Sequence, residues 1–109
     1  MKRPIVNVKG LEEVCRQLAS GKFEFSRHAF RRAVERDIGE AEIREVGIAA
    51  EIIEEYPDDK YAPSVLLLGF TRSRRPLHLQ VSVVPSPFVR IITLYQPDSV
   101  EWLEFRLRR

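Results

Sequence analysis

The chain has one cysteine, one tryptophan, one methionine and two histidines in 109 residues. A lone Cys15 cannot close an internal disulfide, and there is no set of cysteines at zinc-ligand spacing. Cys15 falls in an amphipathic stretch, where a thiol is ordinarily a small buried hydrophobe. Without a disulfide framework or a signal-peptide pattern, the expected compartment is the reducing cytoplasm. No apolar run approaches the roughly 18–20 residues that span a bilayer. The longest, Val65–Phe70, suits a buried strand, so no membrane partner is expected. Phosphate-cradling glycine loops and dinucleotide fingerprints are absent. The acidic stretch Glu51, Glu54, Glu55, Asp58 and Asp59 has no metal-loop spacing and reads as a solvated edge. Neither a metal nor a cofactor is expected.

Lysine is also scarce, confined to Lys2, Lys9, Lys22 and Lys60; arginine supplies the rest of the 18 basic residues against 16 acidic ones. The net charge of +2 does not mark nucleic-acid binding by itself. Guanidinium forks, however, match phosphate geometry and stay charged. An ordinary arginine-rich surface accounts for the composition equally well.

The length fits one domain over residues 1–109, of α+β class: N-terminal helices followed by a mostly antiparallel sheet. Pro4–Val8 reads as a short edge strand or an extended lead-in. Gly10–Ser20 carries Leu11, Val14, Cys15 and Leu18 at helical spacing, and Gly21 closes that helix. Lys22–Phe25 reads as an extended link. Ser26 is an N-cap for a second helix, Arg27–Arg36. Its wheel puts Ala29, Phe30, Ala33 and Val34 on one face, opposite His28, Arg31, Arg32 and Glu35. Glu40–Ala50 predicts a third helix with Ile43, Val46 and Ala50 inward. Strands are predicted over Glu51–Tyr56, Ser64–Arg72, Pro76–Val84 and Phe88–Gln96. The last three are joined by links too short for parallel crossovers, so they are antiparallel. In Pro76–Val84, Leu77, Leu79, Val81 and Val83 alternate with His78, Gln80 and Ser82. Val89, Ile91, Thr93 and Tyr95 are expected to share a face of the last strand. Gly69, isolated in an apolar run, marks a bulge or a close approach. The tail, Asp98–Arg109, reads as a short helix or a disordered basic end.

Both histidines have arginine neighbours. His28 sits in Ser26-Arg27-His28-Ala29-Phe30-Arg31-Arg32, and His78 follows Arg74-Arg75-Pro76-Leu77. Metal-free RNA cleavage needs a base for the 2′-hydroxyl, an acid for the 5′-oxygen and cations for the charged phosphorane. His, Arg and Tyr side chains can supply these. The plain alternatives are a solvated helix residue for His28 and a surface strand residue for His78. Hairpin register can place Tyr95, with Thr93 near it, beside His78; a slip of one residue removes the contact.

Ser26-Arg27-His28-Ala29, Glu35-Arg36, Ile53–Tyr56, His78 and Ile92-Thr93-Leu94-Tyr95-Gln96-Pro97 together resemble the bacterial family called domain of unknown function 4258, over about residues 23–102. The resemblance implies a RelE-like or colicin-like ribonuclease toxin layout, with N-terminal helices on a curved antiparallel sheet. It touches His28, Arg36, His78, Thr93 and Tyr95. What it implies is a metal-independent endoribonuclease of toxin–antitoxin type: His28 as base or acid, Arg36 on the phosphate, His78 and Tyr95 completing proton transfer or positioning the base. Arg32, one helical turn beyond His28, joins the phosphate contacts, with Arg31, Arg74, Arg75 and Thr93 as further candidates. RNA or the ribosome is the implied target and an antitoxin protein the implied partner.

Two other readings compete. In a non-catalytic interaction module, a strand edge or the apolar residues Trp102, Leu103, Phe105 and Leu107 would dock a partner or a second copy in a homodimer. In a small RNA-binding domain, exposed Tyr61 and Phe88 near arginines would stack bases.

Overall fold

In a computed structural model the structure describes residues 7–109. The edge strand or extended lead-in expected over Pro4–Val8 lies mostly outside them, and Asn7 and Val8 carry no strand. Three helices occupy the N-terminal half: α1 (Leu11–Ala19), α2 (Arg27–Glu35) and α3 (Glu40–Ile48). The main sheet is built from β1 (Phe23–Phe25), β2 (Glu51–Tyr56), β3 (Ser64–Phe70), β4 (Pro76–Ser82) and β5 (Val89–Tyr95), in the order β1-β5-β4-β3-β2. All neighbours are antiparallel except β1, which runs parallel to β5. The expected link Lys22–Phe25 is therefore an edge strand. This is an α+β fold with a mostly antiparallel sheet.

Local chemistry explains the helix ends. The Lys22 N–H bonds the Gln17 carbonyl and the Gly21 N–H the Leu18 carbonyl, with Gly21 at φ 79°, so a Schellman turn closes α1. The Ser26 hydroxyl accepts from the Ala29 N–H at 3.0 Å, capping α2 as its sequence predicts. Ala29 and Ala33 are buried, but Phe30 and Val34 are 59% and 67% exposed. The inward face of α2 is thus narrower than its apolar arc, because the helix packs at one margin of the sheet. Its contacts are with β5 and β1.

Helices and sheet enclose one core, in which Val14, Leu18, Ile43, Val46, Leu67, Leu79, Ile91 and Leu94 are buried. Cys15 is half-buried beside it, its thiol 3.7 Å from the Ala50 carbonyl, and burial pushes its pKa up. Gly69 is a close approach: a Cβ there would lie 2.5 Å from a Val46 methyl, so only glycine lets β3 seat against α3.

The other sheet face starts with Ser64, Leu66, Leu68 and Phe70 of β3 opposite Ser82, Gln80, His78 and Pro76 of β4. A bulge in β5 re-aims the neighbouring strand. Val81 pairs with Ile91 but Gln80 pairs with Thr93, leaving Ile92 as the extra residue. The expectation that Val89, Ile91, Thr93 and Tyr95 share a face is corrected accordingly. Val89 and Ile91 enter the core, while Thr93 and Tyr95 pair with the outward Gln80 and His78.

The tail is neither a helix nor disordered. β6 (Trp102–Leu103) and β7 (Leu107–Arg108) form a hairpin. Its turn holds Glu104 and Phe105 at φ 52° and 63°, closed by the Arg106 N–H on the Leu103 carbonyl. Trp102 is only 3% exposed, so it is not the open apolar patch that a docking tail requires.

Candidate functional site

His28, Arg32 and Arg36 recur every four residues and form one stripe along α2. The direction of this stripe follows from its neighbours. Phe30, on the opposite flank of the helix, meets Phe25 edge-to-face at 6.0 Å on the core side. The stripe therefore turns away from that aromatic pair, and Ser26 and Arg36 tie α2 to β5, Ser26 donating to the Ile92 carbonyl and Arg36 to the Leu94 carbonyl at 2.8 Å. His28 is exposed and Arg32 half-exposed, the latter paired with Glu35 at 2.8 Å. The first turn of α2 contains no carboxylate, so the positive helix end is not neutralised locally.

Arg36, at the end of the stripe, binds the carbonyl of Leu94, which stands between Thr93 and Tyr95 on β5. Tyr95 pairs with His78 across β4–β5, the register that would unite them, and their rings meet edge-to-face at 5.2 Å. His78 itself is fully buried. Its Nε2 lies 2.7 Å from the Phe105 carbonyl, which can only accept, so Nε2 carries the proton. Nδ1 then accepts from the Tyr95 hydroxyl at 3.2 Å. Trp102 stands edge-to-face over the imidazole at 4.5 Å. Burial holds the His78 pKa below its ordinary value and pushes the Tyr95 phenol up. The imidazole is neutral, and both nitrogens are occupied. The surface-strand alternative for His78 is therefore corrected, and no ring nitrogen faces solvent while the tail is in place.

The remaining arginines divide. Arg75 is a structural staple: its guanidinium reaches Glu42, Gln96 and the carbonyls of Arg36 and Asp37 at 2.8–3.1 Å. With its nitrogens so engaged it is not a free phosphate contact, which corrects that assignment. Arg74 is exposed in the β3–β4 turn with its guanidinium 5.4 Å from the Phe70 ring centre. Arg31 is exposed on α2 but outside the stripe.

A groove of about 730 Å³ opens on the outward face beyond the hairpin, lined in part by Ser26, Tyr61, Gln80, Ser82, Phe88 and Ile92. The strand alternation signals its Gln80–Ser82 floor, but the β5 bulge that adds Ile92 leaves no period-2 signature. Among the described residues no three His, Cys, Asp or Glu side chains gather as a metal site, and no helix is long and apolar enough to cross a membrane.

The stripe, the bulged strand and the His78–Tyr95 pair all fall inside one matched segment: a sequence model described as "Domain of unknown function (DUF4258)" matches residues 25–96. The chain belongs to the DUF4258 family. No curated protein and no solved structure matches it. The DUF4258 segment begins at the end of β1 and stops just after Tyr95, so the hairpin that seals His78 lies outside the matched residues.

Proposed function

We propose that the protein is a metal-independent endoribonuclease of toxin–antitoxin type, acting on RNA in the cytoplasm, free or on the ribosome. The observation that supports this reading is the stripe of exposed His28 with Arg32 and Arg36 on α2, whose Arg36 end reaches β5 between Thr93 and Tyr95. In the proposed reaction His28 takes the 2′-hydroxyl proton and the 2′-oxygen bonds to the adjacent phosphorus. The bond to the 5′-oxygen breaks, and that oxygen takes a proton from water. Arg32 and Arg36 carry the charge of the phosphorane. The Thr93 hydroxyl orients the leaving oxygen, and Tyr95, its own proton held by neutral His78, accepts from the water that protonates that oxygen. The products are a 2′,3′-cyclic phosphate and a 5′-hydroxyl.

Purified protein incubated with RNA, with and without ribosomes and in excess EDTA, tests this. Cleavage leaving cyclic phosphate ends is expected, reduced roughly 10²–10⁴-fold by His28→Ala. EDTA-sensitive cleavage, or none under either condition, counts against it.

One observation favours a protein-contact role beside this. Phe30 and Val34, one turn apart on α2, leave an apolar pair at the surface that an antitoxin or a second copy could cover.

A further inference from the structure

The outward-face groove has a definite construction. Two aromatic side chains stand on its rims: Tyr61 from the β2–β3 loop is 87% exposed and Phe88 from the β4–β5 loop 47%. Exposure of that degree gives such rings no part in the core, and both border the same cavity. Between them the floor carries Gln80, Ser82 and Ile92. The Gln80 amide nitrogen is anchored to Asp59 and Ser64, at 3.3 and 3.1 Å, which turns its carbonyl oxygen outward as an acceptor. Ser82 Oγ accepts from the Val84 N–H, so its proton is free to donate.

The charged side chains on the lining are Glu24, Asp59 and Arg90. Both carboxylates on the lining are engaged, Glu24 with Arg90 at 3.5 Å and Asp59 with Ser64 at 2.7 Å and with Gln80. Lys60, 5.5 Å from the Tyr61 ring centre, has no ion pair among the described residues, and neither have Arg27 and Arg31 on α2. Ser26 lines the groove and caps α2, so the cavity adjoins the His28 end of the stripe. The volume lies in the range of about 300–1,000 Å³ that holds a small ligand or one or two nucleotides.

We infer that this groove binds single-stranded RNA, stacking unpaired bases on Tyr61 and Phe88 while Lys60, beside Tyr61, meets the backbone on its way toward His28. The inference rests on the ribonuclease reading for its direction of travel but has its own readout. Stacking requires splayed bases, so a duplex is excluded from the cleft. Gln80 and Ser82 present an acceptor and a donor to a base edge.

The probe is a fluorescent 2′-O-methyl oligoribonucleotide, which cannot be cleaved because its 2′-oxygen has no proton. Anisotropy is expected to show the single strand binding and the matching duplex binding at least tenfold more weakly. Tyr61→Ala and Phe88→Ala each weaken the single strand about tenfold, and Tyr61→Phe leaves it unchanged. Thermal melts of these surface variants confirm that they fold. No binding by the wild type, equal duplex binding, or binding indifferent to both alanines overturns the inference. So does self-association lost in Phe88→Ala without RNA binding, which assigns the groove to a second copy. RNA cleavage that needs His28 but survives both alanine substitutions removes the groove and leaves the ribonuclease. Aromatic-dependent binding without His28-dependent cleavage does the reverse.

Discussion

The outward face of the sheet has two ends with the same strand alternation and opposite fates. At one end Phe70 and His78 lie beneath the C-terminal hairpin, Phe105 meeting Phe70 and Trp102 meeting His78, with Leu66 and Leu68 buried on the same face and every buried polar side-chain atom among the described residues partnered. Arg108 stacks on Trp102 at 4.6 Å and pairs with Glu54, and Arg106 pairs with Glu51, fastening the hairpin to β2. At the other end Gln80, Ser82 and Ile92 face a groove whose aromatic rims are bare. The closed end is a second small core; the open end has no such cover. A histidine at the first is a structural element, while side chains at the second are available for chemistry.

The largest expected effect that separates the ends is Trp102→Ala. It removes the centre of the second core and is expected to cost about 3–5 kcal/mol in denaturant unfolding. A loss under about 1 kcal/mol would mean that the hairpin contributes little and the two ends are alike.

His78 gives the next largest effect and a pH signature. Its folded pKa is depressed by burial, so the unfolded chain binds a proton first as the pH drops. The stabilisation is complete above the unfolded value of about 6.5 and is lost as pH falls from there toward the lower folded pKa, with a slope approaching about 1.4 kcal/mol per pH unit. His78→Phe removes that slope. It also strands the Phe105 carbonyl and the Tyr95 hydroxyl, costing about 1–3 kcal/mol at neutral pH. Unfolding curves between pH 5 and 8 check both; parallel profiles for the two proteins would contradict the sealed imidazole.

Glu54→Gln sharpens the account of how the hairpin is fastened. The Arg108 guanidinium, with a smaller contribution from Tyr56, holds the Glu54 carboxyl below its usual range. Arg108 is 63% exposed, so the pair is screened, and its loss is expected to cost about 0.5–1 kcal/mol at low salt and less in high salt. At the open end Tyr61→Ala is expected to change stability by no more than about 0.5 kcal/mol, measured by the same unfolding curves. A loss comparable with that of Trp102→Ala would show that the groove is part of the core.

Much of this was legible in the residues. Ser26 before an amphipathic run marked α2, and the alternation from Leu77 to Val83 put His78 and Gln80 on one side of β4. The close approach at Gly69 and the possibility of His78 meeting Tyr95 could also be read. The β5 bulge was hidden because Ile91 and Ile92 are both apolar, so hydrophobicity does not reveal which one is inserted. The hairpin was hidden because its turn places Glu104 and Phe105 at positive φ, where asparagine and glycine are the usual signals. Once the hairpin is missed, His78 reads as a surface residue. Arg75 was read as a phosphate contact because no sequence spacing reveals that it joins Glu42, 33 residues away, to Gln96.

In the proposed reaction His28 on the α2 stripe, rather than the sealed His78, carries the chemistry. The direct test is to induce wild type and His28→Ala in bacteria at matched protein levels and to follow growth with cellular RNA integrity, ribosomes included. Growth arrest with RNA cleavage by the wild type, and intact RNA with normal growth for a His28→Ala protein of unchanged melting temperature, is the predicted result. Equal cleavage by both proteins, or intact RNA in both strains, would contradict it.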